Sequence, residues 1–201
     1  MWAFILCIIY VIFAFACLAV LIALYDRRPL RIRSGLVMLP ACALISVGAI
    51  LQMFLPYQGT LQVLYYFNVL MFVVVYTGFI FFVGEFTGRF DPLERKNLAL
   101  ILIVPVLAAF SIITDNWLHL WNSNFYLSTL PDYEVPFLLW DFSYMNIVWS
   151  IFCFASGAVL LYYLSRTLHR TGNWILLAVF YLGAAMCVTL NIMAFFTVDL
   201  M

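Results

Sequence analysis

Hydrophobic and polar positions fall in long blocks along this chain, not in the short periods of a soluble fold. Six apolar runs, at about residues 1–25, 35–55, 61–87, 98–113, 137–164 and 174–196, are separated by short polar or charged segments. A helix needs roughly 20 mostly apolar residues to cross the hydrocarbon core of a bilayer, at about 1.5 Å of rise per residue. The pattern therefore predicts an all-α protein, a polytopic transmembrane helix bundle of six spans forming a single domain over residues 1–201. Pro40, Gly48 and Pro105 lie inside these runs without arguing against helix, because neighbouring groups in a bundle satisfy the backbone they free.

Composition agrees with the pattern. The chain is 68% hydrophobic and 9% charged, with a mean hydropathy of +1.13. An ordinary soluble domain would be about 25% charged, so an integral membrane protein is indicated and the lipid bilayer is its first partner. Residues 1–25 lack the basic start of a secretory signal and are too long for one, and the arginines that follow hold the segment in the membrane. Cys7, Cys17, Cys42, Cys153 and Cys187 all lie within apolar runs, where free cysteine acts as a small hydrophobe, so neither a disulfide framework nor a metal-binding pair is indicated. No phosphate-binding loop, dinucleotide fingerprint or nucleic-acid surface is present, and no cofactor is implied.

Charge sets the predicted topology. All nine basic residues fall in three segments: Arg27, Arg28, Arg31 and Arg33; Arg89, Arg95 and Lys96; and Arg166 with Arg170. The bias of Lys and Arg toward the cytoplasm assigns these segments inside and both chain ends outside. Asp115, Asp132, Glu134, Asp141 and Asp199 then fall outside or at the outer boundary. Glu85 and Arg89, four apart, are expected to pair at a helix end. His169, among the arginines, is expected to face solvent or headgroups.

Polar residues within spans are skewed toward the predicted outer half. Gln52, Gln62, Asn68, Asp141, Asn146 and Asn191 lie there, with Tyr65, Tyr66 and Tyr144 among them. Such groups serve either as interhelical hydrogen-bond glue or as the lining of a cavity that opens outward. The densest cluster is Thr114-Asp115-Asn116-Trp117-Leu118-His119-Leu120-Trp121, after the fourth run. Continued as helix, it would place Asp115, His119 and Asn122 on one face and Trp117 and Trp121 on the other. Asp115 and His119 admit three readings: metal ligands needing Asp132, Glu134 or Asp141 as further donors, a catalytic pair without a nucleophile motif, or a structural helix end. The connection between Thr114 and Phe137, about 23 residues including the cluster, is the only long one, and long loops in compact proteins are often functional.

Four pieces in order carry a family resemblance: Gly48 to Gln52 closing the second run; Glu85-Phe86-Thr87-Gly88-Arg89 closing the third; Thr114 to Trp121; and Asn191 in the sixth. Together they resemble the N-terminal seven-transmembrane sensor region of bacterial histidine kinases, a module also found ahead of diguanylate cyclases. The resemblance implies a membrane sensor in the bacterial inner membrane, not itself an enzyme, that takes a small-molecule or environmental signal at its outer face. It also implies a cytoplasmic output domain in the full-length protein, and it admits a homodimer. The implied candidate ligand-binding set is Gln52, Asn68, Asp115, Asn116, His119, Trp121, Asp141, Tyr144 and Asn191, with no metal and no catalytic residue. Two departures stand out, six runs instead of seven and no output domain; the ending at Asp199-Leu200 resembles the short outer turn before the family's last helix, so a truncated chain is expected. Other classes are a small transporter or channel subunit, which would carry polar residues through the full depth of the bundle, and a membrane-embedded enzyme using His119 with a carboxylate.

Overall fold

The computed structural model describes residues 34–55, 57–128 and 137–171, together with Ile12. The elements run α1 (Gly35–Phe54), α2 (Gln58–Thr87), α3 (Arg95–Leu118), β1 (Asn122–Ser128), β2 (Phe137–Phe142) and α4 (Tyr144–Thr171). The expected first and sixth spans, 1–25 and 174–196, lie outside the described residues, as does Asn191. Among the described residues three helices are long and apolar enough to cross a membrane: α2, α3 and Tyr144–Arg170 of α4. In α1 the apolar stretch is shorter, Val37–Gln52. The protein is thus a helical, multi-pass membrane protein. Pro40 and Pro105 sit inside continuing helices, as predicted.

The predicted run 137–164 is not one helix. Its first six residues form β2, which pairs antiparallel with β1, and helix begins only at Tyr144. A short apolar stretch such as Phe137-Leu138-Leu139-Trp140 suits a strand as well as a helix, and pairing across the loop decides between them. The register runs Ser128 with Phe137 through Phe125 with Trp140, then slips before Asn122 meets Phe142. The fourth run, predicted to end at residue 113, continues as helix to Leu118.

The chain divides into two compact units, Met1–Ile151 and Phe152–Met201. In the first, α1 and α2 form an antiparallel pair with little space between backbones. A Cβ at Gly48 would overlap Asn68 Oδ1, and one at Gly78 would lie 3.2 Å from Met38 Cβ. Along α3 the buried positions are Ile101, Pro105, Ala108, Ser111, Ile112 and Asp115; apart from Ser111 they alternate steps of four and three, the spacing of a helix-packing seam. Its other faces expose Leu100, Ile103, Val106, Phe110 and Ile113, as suits a helix whose outer solvent is lipid. In the second unit, Leu160, Leu164 and Leu168 recur every four residues of α4 and are buried.

Hydroxyls within the spans bond back to their own helices: Thr77 to the Val73 carbonyl, Thr87 to Val83, Ser111 to Ala108 and Ser156 to Phe152. This removes the need for an outside partner in hydrocarbon. At the basic end α2 stops at Gly88, whose φ of 59° is a left-handed cap that glycine adopts without a Cβ penalty. The helix therefore ends before Arg89, and the expected Glu85–Arg89 pair is not formed. Glu85 instead accepts a 2.8 Å hydrogen bond from the Ser34 hydroxyl, at the start of α1. A carboxylate there also complements the unpaired N–H groups and partial positive charge of a helix N-terminus.

Candidate functional site at the base of the hairpin

α3 carries the centre of the site on its last turn. Asp115 is 1% exposed, and its carboxylate gathers donors from two directions. Its Oδ1 accepts from the backbone N–H groups of Trp121 at 2.5 Å and Asn122 at 3.2 Å. Its Oδ2 accepts from the same Asn122 N–H at 3.1 Å and from the Tyr66 hydroxyl of α2 at 2.6 Å. A negative charge at a helix C-terminus opposes the helix dipole, so these donors hold a group that would otherwise be unfavourable when buried.

His119 makes this arrangement reachable. It follows α3 with φ 48° and ψ 39°, a left-handed conformation uncommon for a residue with a Cβ, while its N–H closes on the Asp115 carbonyl at 2.9 Å. The chain reverses there, so Trp121 and Asn122 come back over the Asp115 side chain. The predicted continuous helix is thereby corrected: His119 points away exposed, and Trp121 is 2% exposed instead of facing lipid beside Trp117. The start of α4 is sewn to the same turn. The Ser143 hydroxyl donates to the His119 carbonyl at 3.0 Å, the Ser143 N–H to the Trp121 carbonyl at 3.3 Å, and the Met145 N–H to the Leu120 carbonyl at 3.2 Å.

Aromatic rings close the site from the α2 side. Tyr65, Tyr66 and Phe125 of β1 meet edge to face in all three pairings, with centroids 5.5–5.6 Å apart. Tyr65 donates to Asn122 Oδ1 at 3.4 Å. The Trp121 indole N–H and the Asn122 Nδ2 are buried and make no close hydrogen bond; the Tyr65 hydroxyl lies within interaction range of both side chains, and the Tyr66 hydroxyl within range of Asn122.

Of the predicted residues, the structure brings together Asp115 and Trp121. Asn116, His119 and Tyr144 are exposed, and Tyr144 is 85% so. Asp141 is half-buried and accepts from Asn124 Nδ2 at 3.4 Å across the hairpin. Gln52 is half-buried on α1, and Asn68 packs its Oδ1 against Gly48. The predicted set omitted Tyr66, Asn122 and Phe125. Tyr66 carries a visible signal, a hydroxyl in an apolar run, whereas Phe125 and the backbone donors of residues 121 and 122 carry none. Among the described residues no group of three or more His, Cys, Asp or Glu gathers that could hold a metal ion.

Comparison with protein families gives one match, the N-terminal 7TM region of histidine kinase, over residues 2–201. Comparison with curated proteins and with solved structures gives no match. The family describes a membrane region of these kinases and not their catalytic domain, and its match extends over both the helices and the hairpin site. This chain belongs to the family of N-terminal seven-transmembrane regions of histidine kinases.

Proposed function

We propose that this chain is the sensing membrane domain of a bacterial signal-transduction protein, and that it reads a ligand or condition at the outer face through the hairpin site. The orientation follows from the distribution of charge: the basic loops at the far end of α2 and α3 are cytoplasmic, and the hairpin is outside. The chain itself catalyses nothing, and its output is a cytoplasmic kinase or cyclase domain of the full-length protein.

One observation carries the reading. A buried carboxylate, Asp115, ties α2 and α3 to the polypeptide that enters the hairpin, beside two buried donors that make no close hydrogen bond. A stimulus that competes for those bonds binds one arrangement better than another, and unequal affinity is what shifts a conformational equilibrium. Asn116 and His119, on the exposed rim, with the half-buried Asp141, are the residues that an incoming ligand meets first; Asn191 completes the proposed set.

The test is a receptor with its output domain in place. Asp115→Asn and His119→Ala are expected to reach the membrane in normal amount and to lose the stimulus response. An unchanged response in both would overturn the site.

A further inference from the structure

α2 is a single uninterrupted helix of 30 residues, about 45 Å long. Polar bonds hold it near both ends. Toward the hairpin, the Tyr66 hydroxyl donates to Asp115 Oδ2 at 2.6 Å. Toward the basic loops, Glu85 Oε2 accepts from the Ser34 hydroxyl at 2.8 Å and from the Ser34 N–H at 3.4 Å. Along the helix axis these anchors are about 28 Å apart.

Between the anchors, α1 lies against α2 at two glycine contacts. Gly48 faces Asn68 and Gly78 faces Met38. Contacts this close leave little room for sliding by small increments, because packed interfaces have discrete arrangements and do not deform continuously. Next to Glu85, Gly84 is covered by Phe90 and Pro92, with the Phe90 ring 2.8 Å from where a Cβ would stand. The basic loop is therefore fitted to the end of the same helix.

We propose that the α1–α2 pair couples the two ends of the first unit: the state of the Tyr66–Asp115 bond sets the state of the Glu85–Ser34 clamp. A shift or rotation of α2 large enough to break one hydrogen bond carries the other with it, since no kink separates them. Ser34 lies directly after the segment bearing Arg27, Arg28, Arg31 and Arg33, so the clamp sits where α1 enters the basic end of the chain. The biological use of this coupling rests on the sensor reading, but the coupling itself does not. Thermodynamic coupling is reciprocal, so each end must respond to a change made at the other.

Amide hydrogen exchange of the whole chain in lipid nanodiscs tests it without a ligand. Tyr66→Phe is expected to raise exchange several-fold at Val37 and Met38, whose N–H groups bond to the Ser34 carbonyl, as well as at Trp121 and Asn122. Ser34→Ala and Glu85→Ala are expected to raise exchange at Trp121 and Asn122 in return. Val63→Ala, on an exposed face of α2, is the control and is expected to leave both ends unchanged. Effects confined to the mutated end would overturn the coupling, and so would equal effects from Val63→Ala, which would mean general loosening. If coupling fails while Asp115→Asn still abolishes signalling, the sensor reading stands and this inference falls.

Discussion

Tyr66 and Asp115, 49 positions apart in sequence, share a 2.6 Å hydrogen bond that joins two membrane helices at the mouth of the hairpin. The carboxylate at its centre also takes the N–H groups of Trp121 and Asn122, so one side chain organises a turn, a helix pair and a strand entry.

Removing Asp115 strands three donors at once. Leaving a buried donor unpaired costs about 1–3 kcal/mol. Asp115→Ala is thus expected to lower the melting temperature in detergent more than Tyr66→Phe, which removes one donor and leaves the carboxylate its backbone partners. The double variant should be less destabilised than the sum of the singles, since both act on one bond, and an additive result would contradict the shared network.

His119 supplies a backbone conformation as well as an exposed ring, and the two can be separated. Glycine enters the left-handed region without the roughly 1 kcal/mol penalty borne by other residues. His119→Gly is expected to raise the melting temperature slightly, and His119→Val to lower it. If the imidazole takes part in sensing, His119→Gly combines a more stable fold with a lost response, a pairing that a purely structural role would not give.

Gly48 is a packing position. A methyl group there would overlap the Asn68 amide, and overpacking of this kind typically costs about 1–3 kcal/mol. Gly48→Ala should destabilise the chain, and Asn68→Ala should restore most of the loss in the double variant. Failure of that rescue, measured by thermal unfolding, would place the conflict elsewhere.

Trp117 is 78% exposed at the end of α3 beside the polar turn. A Trp at that level belongs to the membrane interface, where an amphipathic ring is favoured. Trp117→Phe is expected to change stability by less than about 0.5 kcal/mol, as exposed substitutions do. It should also remove a fluorescence component quenched by lipids brominated near the headgroup.

The sequence by itself determined the membrane class, because helices in lipid need only length and apolarity, and both are written in the linear pattern. It also determined that Pro40 and Pro105 would be tolerated, and where charge would gather. The same uniform apolarity hid what depended on partners. Phe137–Phe142 looked like more of a helix until β1 was there to pair with it. The Thr114–Trp121 stretch read as two helical faces, but the left-handed turn at His119 separated Asp115 from the imidazole and buried Trp121. Glu85 had a cation four residues away, and took instead a hydroxyl 51 positions back, because α2 ended first and α1 began beside it. Hydrogen-bond partners across helices are set by which elements meet and at what register. Only the tertiary structure decided that, and it placed Tyr66, Asn122 and Phe125 around Asp115.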